Sequence, residues 1–266
     1  MPGRDAASPG RGSRLQWTAI IAAAGRGSRL GFGQPKILYP VAGRSILSRL
    51  HDLLEPLCET LVLVASPEGR PAIERALAEL LPPERFALRV QQDPEGMAQA
   101  VAVGLEAVET PFVVVVWGDQ AALRADALEQ CARLLEAAPE TTAVCPALWR
   151  EEPYLAIVRD PSGGIAEVLQ AREGDPMPAR GLSDAGVFFF RTSSLRAGLE
   201  QLLRDPACRG RKTGELNFLP ILASMDHPPG RVQTPLLVSR EEAIGINTTA
   251  DAAEVEKFLA AAGGKS

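Results

Sequence analysis

The run Phe112-Val-Val-Val-Val-Trp, closed by Gly118 and Asp119, constrains the fold of this chain most strongly. β-Branched side chains favour extended backbone, and successive strand residues point to opposite faces. Consecutive valines are therefore apolar on both faces, which suits a central strand covered from both sides. TAIIAAAG from Thr18 and TLVLVAS from Thr60 read the same way, and ALRVQQ and TAVCPAL supply further strands. Helical patterns over 46–57, 71–81, 96–108 and 125–138 lie between them. Strand and helix units of this length imply right-handed crossovers and a mainly parallel sheet. The expected fold class is α/β, a Rossmann-like sheet flanked by helices.

After about residue 150 the rhythm changes. YLAIVRD, the turn PSGG and IAEVLQ predict a β-hairpin, GVFFFRT another strand, and helices follow to the C-terminus. This half is expected to form a small lobe over the carboxyl ends of the parallel strands, where open α/β sheets bind ligands. Residues 1–16, rich in Gly, Ser, Pro and Arg, read as a mobile leader. Residues 17–266 then form one domain with halves 17–150 and 151–266.

Of 266 residues, 46% are hydrophobic, enough to build a globular core. The net charge of -5 argues against nucleic acid as the main partner, because phosphate backbones are bound by clustered cations. No segment has the apolar length to span a bilayer and the first residues lack a secretory signal, so a cytoplasmic protein is expected. Cys58, Cys131, Cys145 and Cys208 form no C-x-x-C pair and read as reduced packing residues.

The segment IIAAAGRGSRLGFGQPKILYPVAGRSIL carries the most chemical information. An apolar strand ends at Ala22, and the small residues Ala23, Ala24, Gly25 and Gly27, with Arg26 and Ser28 among them, let the backbone turn close to a ligand. Successive N–H groups in such a turn form an anion-binding concavity. Arg29 and Lys36, seven residues apart, add two cations suited to a triphosphate. The loop is neither G-x-G-x-x-G nor G-x-x-x-x-G-K-[ST]. Further along, Gly118 and Asp119 end the most apolar strand, placing a carboxylate at the ligand crevice. Mg²⁺ takes hard oxygen ligands, often only one or two from protein, and Asp119 fits that role.

With these residues in place, the chain resembles the sugar-1-phosphate nucleotidyltransferases, and most of all the uridylyltransferase domain of N-acetylglucosamine-1-phosphate uridylyltransferase. Ala23, Ala24, Gly25, Gly27, Ser28, Arg29, Pro35 and Lys36 match the family's phosphate loop, and the similarity runs colinearly from about residue 17 to 257. The resemblance implies the nucleotide-diphospho-sugar transferase fold, with a nucleotide-binding first half and an acceptor-binding second half. It also implies a second Mg²⁺ ligand at Asn247, in Gly245-Ile246-Asn247 with Glu242 upstream. VQQDPEGMAQAV resembles the segment in which a Gln reads uracil: Gln91 and Gly96 match, while Met97 replaces the usual Thr. The acetyltransferase part that often follows in that family is missing from this sequence.

On the acceptor side the match breaks down. The family's Tyr-Gly appears as Tyr154-Leu155, its sugar-binding Glu as Gln170, and its Asn-Thr-Gly as Asp184, Ala185 and Gly186. A side chain where the sugar packs on backbone, and lost hydrogen-bond partners at hydroxyls, change discrimination strongly. The expected acceptor is therefore a phosphorylated sugar or cyclitol other than N-acetylglucosamine 1-phosphate. Lys212, in KTGELNFLPIL, is a candidate phosphate contact, or else part of a solvated loop before a helix capped by Thr213.

What the resemblance implies, taken together, is a Mg²⁺-dependent transfer of a nucleotidyl group from a nucleoside triphosphate, UTP favoured, with release of pyrophosphate. Arg29, Lys36 and Asp119 would carry the chemistry. A cytidylyltransferase or a molybdenum-cofactor nucleotidyltransferase of the same fold is an alternative, the latter suggested by Gly118-Asp119-Gln120. So is a non-catalytic nucleotide-sugar-binding regulator, since fold and function separate easily.

Overall fold

The computed structural model describes residues 16–25 and 28–263. The leader over 1–15 and the loop residues Arg26 and Gly27 lie outside the described residues, as does the side chain of Ser28. In chain order the first half contains β1 (Trp17–Ala22), β2 (Pro40–Val41), β3 (Arg44–Ser45), α1 (Ile46–Leu54), β4 (Thr60–Ala65), α2 (Arg70–Leu80), β5 (Phe86–Val90), α3 (Met97–Leu105), β6 (Phe112–Trp117) and α4 (Ala125–Ala137). The second half contains β7 (Ala143–Val144), β8 (Ala147–Glu151), β9 (Leu155–Arg159), β10 (Ile165–Gln170), β11 (Arg180–Asp184), β12 (Val187–Arg191), α5 (Thr192–Arg204), α6 (Pro220–Met225), β13 (Val232–Gln233) and α7 (Thr249–Gly263).

The main sheet has the order β13-β7-β12-β6-β1-β4-β5. β1 pairs in parallel with β4 and β6, β4 with β5, and β13 with β7, while β12 runs antiparallel to both neighbours. Valines of β6 alternate between two cores. Val114 and Val116 pack with Ala19, Ile21, Leu63 and Phe189 on one side. Val113 and Val115 pack with Ile20, Val62, Phe188 and Phe190 on the other. All four are fully buried, as expected of a strand covered on both faces. Trp17 closes one core, stacked on Phe112 at 5.0 Å, with its Nε1–H donating to Glu136 at 2.6 Å.

TAVCPAL departs from the expected single strand. It breaks after Val144: Ala143 and Val144 belong to the main sheet, and the chain leaves it through Cys145 and Pro146 to begin β8 in a second sheet. Pro146 has no N–H to continue a ladder, which makes it a natural crossing point between sheets. The second sheet, ordered β10-β9-β11-β8, contains the expected hairpin, with Leu155 opposite Gln170.

Asp226, fully buried at the end of α6, ties the two sheets together. One carboxylate oxygen accepts from the Ile165 N–H at 2.7 Å and the other from the Val232 N–H at 2.8 Å. Arg159 stands 4.0 Å away. Removing the carboxylate strands two buried N–H donors. Asp226→Ala is therefore expected to lower the unfolding free energy by about 3 kcal/mol, and Asp226→Asn by less, in denaturant titrations. Equal stability of Asp226→Ala and the parent would show that the tie carries no energy.

Candidate functional site

The ends of β1 and β6 define the site. Gly118 follows β6 and donates its N–H to the Ala22 carbonyl at 3.0 Å; a Cβ there would lie 2.5 Å from that oxygen. Only glycine lets the two strand ends run this close, and the next residue, Asp119, is thereby carried into the cleft. Asp119 caps no helix, since α4 begins at Ala125.

Lys36 opens a short 3₁₀ turn, anchored by the buried Ile37 next to it and by its own N–H reaching the Gly25 carbonyl at 3.5 Å. Its Nζ lies 2.6 Å from Asp119 Oδ2 and 3.1 Å from Asn247 Oδ1. Arg29 Nη2 reaches the same Asn247 oxygen at 3.3 Å. The Asn247 amide is oriented by donation from Nδ2 to the Gly245 carbonyl at 3.1 Å, which turns Oδ1 toward the two cations. The Gly245–Asn247 segment is pinned to the β6 end, because the Ile246 N–H donates to the Asp119 carbonyl at 3.0 Å. From the other side, Asp251 accepts from the N–H groups of Asn247 at 2.9 Å and Thr248 at 2.7 Å, and its own N–H returns to Thr248 Oγ1. This reciprocal cap starts α7. Glu242 supports the preceding turn: it is buried, accepts from the Ser239 N–H at 2.6 Å and lies 3.0 Å from Arg124. Four of the residues singled out in the sequence, Arg29, Lys36, Asp119 and Asn247, thus converge from three distant segments.

A cavity of about 130 Å³ adjoins this cluster, lined by Ala23, Gly25, Lys36, Met97, Gly118 and Asp119. A neighbouring cavity of about 180 Å³ shares Gly25 and Met97 with it and is lined by Ala24, Gln91, Gly96 and Arg172 as well. The two form one cleft running from the cation cluster to Gln91. Gly96, which lines the second cavity, is also held against the protein's own backbone. Its φ is +126°, and a Cβ would lie 2.5 Å from the backbone nitrogen of Leu216, so the tight neighbour is the 209–217 loop of the protein itself. Glu95 and Ala98 flank it with backbone bonds to Leu216 at 2.6 and 3.0 Å.

Arg172 on the cleft wall was missed from the sequence, although it lies only two residues beyond Gln170. Its guanidinium donates to Glu215 at 3.0 Å and to Asn217 Oδ1, and stands 3.4 Å from Glu173. Glu173 is the keystone of the 209–217 loop. It accepts from the N–H groups of Lys212 and Thr213 at 3.0 and 3.2 Å and from Thr213 Oγ1 at 2.6 Å. Thr213 therefore caps no helix, and the next one begins only at Pro220.

The five acceptor candidates line neither cavity. Tyr154 is largely exposed, Leu155 half-buried, and Gln170 buried beside it. Asp184 is buried with Oδ1 accepting from the Gly186 N–H at 2.8 Å, while its Oδ2 has no partner among the described residues. Burial pushes its carboxyl above the usual range, opposed by the Gly186 N–H and by Arg150, and the Asp119 charge nearby adds to the rise. Gly186 meets Gln120, whose Nε2 would lie 2.3 Å from a Cβ there.

Paired cations, a carboxylate and an amide oxygen thus stand at the carboxyl ends of the parallel strands, where open α/β sheets bind ligands. Residues 19–207 match the MobA-like NTP transferase domain. The bifunctional proteins GlmU of Burkholderia orbicola (strain MC0-3) and Burkholderia lata are each 27% identical over 242 residues, spanning 90% of this chain and 51% of the relative. The chain therefore spans about half the length of these curated relatives. A nucleotidyl transferase from Methanothermobacter thermautotroptrophicus shares the fold, with a TM-score of 0.61 at 20% identity over 93% of this chain and 99% of that one. The chain belongs to the MobA-like NTP transferase domain family, and is thus of the nucleotidyltransferase class.

Glu173 makes the loop pH-dependent. Burial alone would raise its pKa, but the bonds from Thr213, Lys212 and Asn217 outweigh it and hold the carboxyl down at about 2. Such a group stabilises the folded state fully above its ordinary value of 4.5, and the contribution is lost as pH falls from there toward about 2. At neutral pH, Glu173→Ala is expected to speed amide exchange at Lys212 and Thr213 by about tenfold to a hundredfold. Unchanged exchange would remove Glu173 as the loop's anchor.

Proposed function

We propose that this chain transfers a nucleoside monophosphate from a nucleoside triphosphate, UTP favoured, to the phosphate of a sugar or sugar-like cyclitol, releasing pyrophosphate. The observation that carries this reading is the convergence of Arg29, Lys36, Asp119 and Asn247 on one point beside the glycine loop. Such a set favours catalysis over a purely regulatory binding role, for which a half-buried Lys–Asp pair at the cleft would be an unneeded desolvation cost.

In this reaction an acceptor phosphate oxygen attacks the α-phosphorus, the bond from that phosphorus to the bridging oxygen breaks, and pyrophosphate departs with the electron pair. The attacking group is ionised near neutral pH, so no general base is needed. What the protein must supply is alignment and charge neutralisation. Lys36 and Arg29 hold the triphosphate oxygens and oppose the charge that develops on the leaving group.

The donor set fits Mg²⁺. Asp119 Oδ2 and Asn247 Oδ1 are both hard oxygens, and both hydrogen-bond the Lys36 ammonium, so they lie close together at the cleft. Bound there, Mg²⁺ would neutralise phosphate charge and polarise the phosphorus centre.

On the acceptor side, Leu155, Gln170 and Asp184 depart together from the pattern that serves N-acetylglucosamine 1-phosphate, which supports a different sugar or cyclitol phosphate. A molybdenum-cofactor type of acceptor remains the second reading, favoured by Gly118-Asp119-Gln120 and the MobA-like match. No helix among the described residues is long and apolar enough to cross a membrane.

Lys36→Ala and Arg29→Ala should each lower pyrophosphate release by about 10²–10³ with the fold intact. Asp119→Ala or excess chelator should abolish it, with Asn247→Ala milder, because a neutral carbonyl contributes less field than a carboxylate. Full activity in chelator would end the metal assignment. In a substrate panel, N-acetylglucosamine 1-phosphate should fall at least about tenfold below the best sugar or cyclitol phosphate in kcat/KM. Efficient turnover of it with UTP would show that the three altered residues leave the usual acceptor accepted.

A further inference from the structure

Both hydrogens of the Gln91 carboxamide are committed inside the protein. Nε2 donates to the Gly96 carbonyl at 3.0 Å and to Gln99 Oε1 at 2.6 Å. Gln99 is oriented in turn, because its own Nε2 donates to the Glu95 carboxylate at 3.2 Å while its Oε1 also faces the Glu95 N–H at 3.4 Å. An ionised carboxylate and a main-chain carbonyl can only accept. The relay therefore has one direction: turning Gln99 over would set its oxygen against Glu95, and turning Gln91 over would set its oxygen against Gly96. Side-chain amides are assigned from such partners, and here an acceptor-only group stands at both ends.

The atom left over is Gln91 Oε1. Gln91 lines the 180 Å³ cavity, and its Oε1 receives no hydrogen bond among the described residues. It is the atom of that carboxamide left to accept, on a residue that lines the cavity.

We propose that Glu95 and Gln99 are positioning residues for base choice. They hold Gln91 so that the cavity presents an acceptor, selecting a base whose ring nitrogen carries a proton on its pairing edge. Uracil N3–H and guanine N1–H meet that demand. Cytosine N3 and adenine N1 are lone pairs and would face the Gln91 oxygen unpaired. The inference rests on the nucleotidyltransferase reading of this cleft and sharpens it for the base. Leaving two buried acceptors face to face is expected to cost about tenfold to a hundredfold in affinity.

The test uses the full chain, its Gln99→Leu, Gln99→Glu and Glu95→Ala variants, the double variant Gln99→Glu with Glu95→Gln, and the triphosphates UTP, GTP, CTP and ATP. Pyrophosphate release gives kcat/KM for each, and titration calorimetry gives binding without any acceptor. The parent should favour UTP or GTP over both CTP and ATP by at least about tenfold. Gln99→Leu frees one Gln91 hydrogen and should narrow that ratio to within about threefold. Gln99→Glu sets a carboxylate oxygen against Glu95 and should narrow the ratio as well, whereas Gln99→Glu combined with Glu95→Gln puts a donor back at that contact and should keep it. Glu95→Ala alone, at an exposed position, should narrow it partly. A merely structural Gln99 would weaken all four nucleotides together. That outcome, or a parent that prefers CTP or ATP, overturns the proposal.

The two readings separate cleanly. A base preference in binding that collapses in Gln99→Leu, without pyrophosphate release from any acceptor, sinks the transferase reading alone. Pyrophosphate release with no base preference sinks this inference alone. Binding of none of the four nucleotides sinks both.

Discussion

The pairing of β1 with β6 is the constraint on which the rest of the site depends. Six residues of each strand run in parallel register, from Trp17 opposite Phe112 to Ala22 opposite Trp117. Because side chains of both strands are buried on both faces, a slip of one residue would exchange the contents of two cores, so the register is strongly specified. That register ends with Gly118 against the Ala22 carbonyl. Everything downstream inherits this placement: Asp119 enters the cleft, its carbonyl receives Ile246, and Asn247 arrives beside Lys36. The Lys36–Asp119 pair, with side chains about one-sixth exposed, is held by strands and turns rather than by its own attraction. Desolvation makes such a pair costly to assemble and costly to break on one side.

How legible this was differs between halves of the chain for physical reasons. The central strands could be read because their valines, isoleucines and alanines are apolar on both faces, a pattern that only one environment accepts. Helix positions followed from the 3.6-residue period, with ends off by up to three residues: α1 stops at Leu54 and α3 at Leu105, short of the apolar periods that continue beyond them. The break at Pro146 was not read, because TAVCPAL carries the composition of one strand while its two ends serve different sheets. Lys36 and Asp119 could be singled out from local signals, a glycine loop and a strand end, whereas Asn247 entered only through the family resemblance, and the fold brings the three together. Arg172 and Gln99 could not be singled out. Both are ordinary polar residues in their local sequence, and only the folded chain gives them a direction, Arg172 through the distant Glu215 and Asn217 and Gln99 through its neighbours Gln91 and Glu95.

The acceptor half shows where spacing ceases to inform. Leu155 and Gln170 are cross-strand neighbours in the hairpin, so their joint departure from the familiar pattern describes one surface rather than two independent changes. Asp184 is a different case. It is buried, its Oδ1 holds the Gly186 N–H, and it feels the Asp119 charge. Its Oδ2 is an unpartnered buried oxygen among the described residues, a polar demand that burial makes costlier than an exposed one would be.

The 209–217 loop joins these halves mechanically. At one end Glu173, at the tip of the second sheet, gathers Lys212 and Thr213. In the middle Leu216 bonds Glu95 and Ala98, on either side of Gly96, where no Cβ would fit. Glu95 is also the anchor of the relay that orients Gln91. The loop thus links Glu173, through Leu216, to Gly96 on the wall of the 180 Å³ cavity. Glycine at 96 follows from the same geometry, since the loop must approach within contact of backbone for these bonds to form.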